Sequence, residues 1–317
     1  MADTAIEWTE RSWNPIVGCS LDSPGCTNCY AMKMARRFER MGTVAHYAGL
    51  TKETKAGAVW TGKMVQAPEH VLLEPLRRRK PTTWFVNSMS DLFHDDVPDA
   101  WIDRVFAVMA LCPQHTFQVL TKRAARMREY VSEHGDGSGK TMSVLERISE
   151  AGAALADAAG RDGDATGDRI LDGAWPLPNV WLGVSAEDQR RADERIPDLL
   201  ATPAAIRFVS AEPLLGPIDF DMLRVGDAWM IGALTGIYGA LPGNRGEKLD
   251  LIIVGGESGS GARHMEDAWA ESIQAQCAAS GTAFFMKQMG GPVKARMRPI
   301  PEHLMVREMP TQCGGLL

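Results

Sequence analysis

Three cysteines near the start of the chain have the type and spacing for metal chemistry. Cys19, Cys26 and Cys29 lie in the stretch WNPIVGCSLDSPGCTNCYAMKM (Trp13 to Met34), with six residues between the first pair and two between the second. Pro15, Gly18, Pro24 and Gly25 are turn formers, so Cys19 to Cys29 reads as a loop that can curl three thiolates toward one point. Closed zinc sites and ordinary electron-transfer clusters take four protein ligands. Three thiolates leave one coordination position open, and an open position is where chemistry can occur. The same spacing also suits zinc completed by a histidine, with His46, His70 or His94 as the fourth ligand, or three unrelated thiols. The other cysteines, Cys112, Cys277 and Cys313, are scattered and read as small core or near-surface residues.

The elements that must position this loop follow from the apolar pattern. Ile6 to Trp8 and the segment ending at Val17 read as a first strand before the loop. A helix is expected over Tyr30 to Met41, with Met32, Ala35 and Phe38 on one face. Residues 42–67 show little periodicity and read as a wrapping insertion. Pro68 to Arg79 reads as a helix that Pro75 kinks or splits. Short apolar runs then recur at 83–86, 116–120, 180–184, 206–209, 251–254 and 283–286, and helical patterns fill 100–111, 124–130 and 190–200. Buried strands separated by helices predict an α/β chain with a parallel sheet: a partial (β/α) barrel of six or seven strands, or a doubly wound sheet. Residues 134–172 read as a surface insertion with a helical patch near 144–156. Residues 227–248 form a Gly-rich insertion, a lid or contact surface around LTGIYGALPGNRGEK. A basic tail over 290–317 carries Lys294, Arg296, Arg298 and Arg307. The whole of 1–317 reads as one domain with these excursions.

The motif residues carry a resemblance. Asn14, Pro15, Gly18, Cys19, then Gly25, Cys26, Cys29, Tyr30 and Ala31 give N-P-x-x-G-C, a spacer, and G-C-x-x-C-Y-A. This is similar to the cluster loop of radical S-adenosylmethionine (SAM) enzymes, especially the spore photoproduct lyase and DNA-repair-photolyase-like branch. The six-residue first spacer departs from that family's usual three. The whole chain also resembles a phage- and prophage-associated family with a three-cysteine motif and no settled function. The resemblance implies a radical SAM-like domain with a 4Fe-4S cluster on the three cysteines and SAM on the fourth iron. It implies an enzyme, a lyase or modification enzyme, that reductively cleaves SAM to a 5′-deoxyadenosyl radical for hydrogen abstraction. An electron donor of flavodoxin or ferredoxin type and a nucleic-acid or nucleotide substrate are its implied partners.

Candidate cofactor contacts lie where the strands end, because the C-terminal edge of a parallel sheet is where such folds build their sites. After the second strand come Asn87, Ser88 and Asp91, the last in Ser90-Asp91-Leu92-Phe93, which resembles the family's T-D-x-Y. The family's early Gly-Gly-Glu is absent there. Asp91 suits SAM contact and helix or loop capping equally. Lys122, in a Leu-Thr-Lys-Arg that resembles the family's T-K-S, suits the SAM carboxylate or a substrate phosphate, or is a solvent-exposed lysine at a strand end. Ser185, Glu187 and Glu212 suit ribose hydroxyls or the SAM amino group, or are ordinary turn residues. Gly255, Gly256 and Glu257 open a Gly-rich stretch that is neither a P-loop nor a dinucleotide fingerprint; adenosine contact and a plain turn are both open.

Composition bounds the remaining classes. The chain has 317 residues, 45% of them hydrophobic, and a formal charge of −6, which argues against a chain-wide electrostatic grip on nucleic acid. No apolar run is long enough to span a bilayer, and MADTAIEWTE is acidic rather than signal-like. A cytoplasmic protein without membrane partners is expected. The rival from another class is a zinc-bearing, non-catalytic nucleic-acid-binding phage protein.

Overall fold

In a computed structural model, which describes residues 6–55, 57–135, 142–226, 229–239, 245–292 and 296–310, seven parallel strands form a curled half-barrel in a mixed α/β chain. They are β1 (Arg11–Trp13), β2 (Thr83–Val86), β3 (Thr116–Thr121), β4 (Val180–Ser185), β5 (Ile206–Ala211), β6 (Leu251–Gly255) and β7 (Ala283–Gln288), adjacent in that order. Arg11 lies opposite Trp84, Thr83 opposite Thr116, and Leu251 between Phe208 and Ala283. Strands β4, β5 and β6 are buried at every residue, so VWLGVS, IRFVSA and LIIVG show no alternation, as a sheet covered on both faces requires. The ladders run one or two residues past the apolar runs, through Thr121, Ser185 and Ser210, because hydrogen bonding continues where apolarity stops.

Helices connect the strands: α1 (Tyr30–Met41), α2 (Asp99–Ala110), α3 (Ala124–Val131), α4 (Val144–Ala158), α5 (Gly163–Leu171), α6 (Gln189–Ala201) and α7 (Asp267–Ser280). The first strand is shorter than the pattern predicts. Pro15 has no N–H to offer a ladder, and Ile16–Val17 pairs antiparallel with Val65–Gln66 instead. Residues 42–67 hold an antiparallel pair, Thr51–Thr54 with Gly57–Trp60. The expected helix at 68–79 is two turns, Glu69–Leu72 and Glu74–Arg77, divided ahead of Pro75.

The 134–172 insertion is more ordered than its composition suggests. Helix α4 starts at a Ser143–Glu146 capping box, and α5 follows where no helix was expected. Two glycines permit their contact: a Cβ on Gly152 would sit 2.3 Å from Ile170 Cδ1, and one on Gly167 3.0 Å from Ser149 Oγ. The 227–248 insertion belongs to a small antiparallel sheet, Leu223–Val225, Trp229–Gly232 and Ile237–Tyr238. Residues 240–244 of its Gly-rich stretch, Lys294 of the tail and Cys313 lie outside the described residues.

The chain divides into two compact units. The first comprises Met1–Ser20, Ala31–Trp181 and Thr202–Ala205, with Trp13, Trp84, Phe106 and Phe117 buried inside it. The second comprises Leu21–Tyr30, Leu182–Ala201 and Ile206–Leu317, and buries Phe208, Ile252, Ile273 and Phe284. Cys26 and Cys29 therefore belong to the second unit, and Cys19 to the first.

Candidate functional site

In the first unit, the motif residues lock the end of β2. Asn14 Oδ1 accepts from Ser88 Oγ (3.1 Å) and from the Met89 N–H (3.0 Å), and the Gly18 N–H donates to the Met89 carbonyl (3.2 Å). Gly18 has φ +102°, and a Cβ there would lie 2.0 Å from the Lys63 carbonyl oxygen, so only glycine fits before Cys19. Asn87 also adopts a left-handed conformation, φ 56°, which asparagine tolerates better than most residues. Its Oδ1 accepts from the Ile16 N–H (3.4 Å), whereas its Nδ2 is buried with no partner among the described residues.

Asp91 gathers the exits of β2 and β3. Its Oδ1 accepts from Thr121 Oγ1 (2.6 Å) and the Phe93 N–H (3.1 Å), and its Oδ2 from the Lys122 N–H and Arg123 Nη1 (3.0 Å each). A carboxylate offers about four lone-pair sites, and all are engaged here. Arg123 Nη2 continues to Ser20 Oγ (2.9 Å), which also meets His94 Nε2 (2.7 Å). The Asp96 N–H donates to His94 Nδ1 (3.1 Å), so in the neutral ring Nε2 carries the proton and donates to Ser20. Burial, then the Arg123 charge, pushes His94 below its usual pKa.

In the second unit, the cysteine loop is held within itself by short-range bonds. A single 3-10 turn, Pro24–Cys26, is followed by a Cys29 N–H bond to the Cys26 carbonyl (3.3 Å). Glu187, fully buried, accepts the Gly25 N–H (3.1 Å) and Arg195 Nη1 (3.0 Å). Arg195 also donates to the Ser185 carbonyl (2.7 Å) and to Asp22 on the loop (2.5 Å). Glu257 accepts Asn28 Nδ2 (2.9 Å), the Arg263 N–H (2.9 Å) and the Arg263 guanidinium at Nε (2.9 Å) and Nη2 (2.5 Å). Burial pushes the Glu257 carboxyl up, but the bonds from Arg263 and Asn28 outweigh it and hold its pKa below the usual range. Glu212 takes Lys287 Nζ on both oxygens at 2.6 Å. Gly255 and Gly256 serve packing: a Cβ on Gly256 would meet Gly290 N at 2.3 Å, and one on Gly255 the Glu212 side chain at 3.1 Å.

A family model, described as a protein of unknown function (DUF5131), matches residues 3–314. The chain belongs to the DUF5131 family. No curated protein and no solved structure matches it.

Within this DUF5131 chain, the expected site residues fall into separate groups. Asn87, Ser88, Asp91 and Lys122 come together in the first unit. In the second, Ser185 joins Glu187 through Arg195, Glu212 joins Gly255 directly and Gly256 through Gln288, and Glu257 joins Asn28. Cys19, Cys26 and Cys29 are reduced thiols. Among the described residues, no group of three or more His, Cys, Asp or Glu side chains is gathered as a metal-holding set. By type the donor set, three reduced cysteine thiols, is one that an iron–sulfur cluster takes. His94, a candidate fourth zinc ligand, has both ring nitrogens engaged. Burial raises the Cys112 and Cys277 thiols to about 12, which makes them inert. The residues that sequence reasoning missed are Ser20, Asp22, Asn28, Arg123, Arg195 and Arg263. Three of them flank the cysteines, a signal available in the sequence. The arginines find their acids only through the fold.

Proposed function

We propose that the chain is a radical SAM-type enzyme in which Cys19, Cys26 and Cys29 hold a 4Fe-4S cluster that leaves one iron for SAM. The observation that supports this reading is the loop itself. Three reduced cysteines follow the first strand of a parallel half-barrel, on a segment tied to strand-exit acids. When bound, the cluster and SAM would supply reductive SAM cleavage for hydrogen abstraction from a substrate, with a nucleic acid or nucleotide the favoured class. Glu187 and Glu257 hold the cysteine loop, and Asp91 holds the turns after β2 and β3. Asn87 Nδ2, a buried donor awaiting an acceptor, and Lys122, with Ser88 on the same turn as Asn87, are then the groups of the first unit for SAM's carboxylate. Glu212, with its Lys287 partner, is the remaining acid for ribose hydroxyls.

The test begins with anaerobically purified protein, measured for iron, zinc and visible absorbance. Iron together with a broad visible absorbance band from a cysteine-bound cluster is expected. After reduction, added SAM should give 5′-deoxyadenosine, and each of Cys19→Ala, Cys26→Ala and Cys29→Ala should abolish it. Tightly bound zinc without iron would overturn the proposal in favour of a zinc-bearing binding protein. So would silence from fully reconstituted protein.

A further inference from the structure

We propose that Glu187 and Glu257 are positioning residues acting separately on two cysteines. Each pins the residue that precedes one of them: Glu187 takes the backbone N–H of Gly25, before Cys26, and Glu257 takes the side-chain amide of Asn28, before Cys29. Each acid is in turn fixed by an arginine, Arg195 on α6 for Glu187 and Arg263 for Glu257. Charge-assisted bonds of this kind are strong, and the arginine fork leaves the carboxylate one orientation. The two arms leave from different strands, β4 and β6, so neither needs the other to hold its end of the loop. The 3-10 turn itself contributes only short-range bonds, Cys26 N–H to the Ser23 carbonyl (2.9 Å) and Thr27 N–H and Oγ1 to the Pro24 carbonyl (3.2 and 2.9 Å), which shape the turn without tying it to the sheet. Both arms and both cysteines lie in the second unit. Glu187 and Glu257 thus spend their acceptor capacity on the protein, which is a different assignment from direct contact with SAM.

Only the reason the thiols need holding rests on the function proposed above; the tether itself is measured on reduced, metal-free protein. Iodoacetamide labelling is followed at each cysteine by tandem mass spectrometry, with buried Cys112 and Cys277 as reporters of unfolding. Glu257→Ala should label about tenfold faster at Cys29 and within about twofold of wild type at Cys26, the scale of one charge-assisted hydrogen bond. Asn28→Ala should accelerate Cys29 labelling at least as much, because it removes the loop's donor, which also reaches the Gly261 carbonyl (3.0 Å), while leaving the Glu257–Arg263 pair. Glu187→Ala should show the reverse selectivity, and Glu187→Gln, which keeps an oxygen for the Gly25 N–H, should restore protection of Cys26. If Glu187→Ala also exposes Cys112 and Cys277 it has unfolded, and the Glu257 and Asn28 variants then decide. Equal acceleration at both loop cysteines, or a wild-type rate at Cys29 in Asn28→Ala, would overturn the two-arm assignment.

Discussion

Asp91 receives four donors, and deleting its carboxylate would strand all of them at once. The most costly is Arg123, whose side chain is 9% exposed and would lose the carboxylate that balances its charge there. Asp91→Ala should therefore lose about 3–5 kcal/mol in urea unfolding, and Asp91→Asn less, since it keeps one acceptor. A loss below about 1 kcal/mol would show that the network is not cohesive. His94, in the same network, makes stability depend on pH. Its folded pKa lies below the ordinary 6.5, so the unfolded chain takes the proton first as pH falls. Its contribution is whole above about pH 6.5 and is lost as pH drops through the folded value. His46 and His115 shift the same way by burial, so His94→Gln should flatten, not abolish, the fall in Tm between about pH 7 and 5. An unchanged slope would mean that the ring is solvated. Residue types were legible here while their partners were not. The sequence offers an acid after β2, but nothing local says that Thr121, Lys122 and Arg123 would reach it from β3.

Elements were legible wherever burial was continuous. β2 to β7 stand out because apolar runs of this length fit only a covered sheet, and α1 begins and ends where its periodicity does. Segments stabilised by long-range pairing stayed hidden. The Thr51–Thr54 strand, TKET, has no apolar residue to mark its pairing with Gly57–Trp60, and α5 carries two glycines that weaken its local propensity while admitting α4. Gly18 shows the same logic in one turn. The sequence marks it as a turn former, and the fold adds that the Lys63 carbonyl occupies the place of its Cβ. Gly18→Ala should cost more than about 2–3 kcal/mol and expose Cys19 to alkylation. Gly62, at φ +87° with open space around it, is the control: Gly62→Ala meets only backbone strain of about 1 kcal/mol. Equal losses in thermal unfolding of the two variants would assign the Gly18 effect to φ alone.

At the scale of the molecule, sequence order and compact units do not coincide. The decapeptide Leu21–Tyr30 lies between segments of the first unit along the chain, yet it is part of the second. It brings Asp22 to Arg195, the Gly25 N–H to Glu187 and Asn28 to Glu257, which satisfies a buried arginine and two buried acids. A strand pattern read from the sequence suggests one domain with excursions, because apolar periodicity records which residues are buried and not which unit buries them. The consequence can be tested with a fragment covering 182–317. It holds β5, β6, β7, α6 and α7 but lacks the decapeptide, so Arg195 loses its Asp22 partner and Glu257 its Asn28 partner. Arg195 keeps Glu187 and Glu257 keeps Arg263, so the loss is that of three hydrogen bonds to charged groups (from Asp22, the Gly25 N–H and Asn28), about 1.5–3 kcal/mol each, together a large share of the roughly 5–15 kcal/mol that keeps a domain folded. The fragment alone should show no sharp thermal transition in near-ultraviolet circular dichroism, whereas co-expression with 1–181 should return a soluble pair that melts cooperatively. A 182–317 fragment that melts sharply by itself, near the temperature of the full chain, would show that the second unit does not depend on the cysteine-bearing loop.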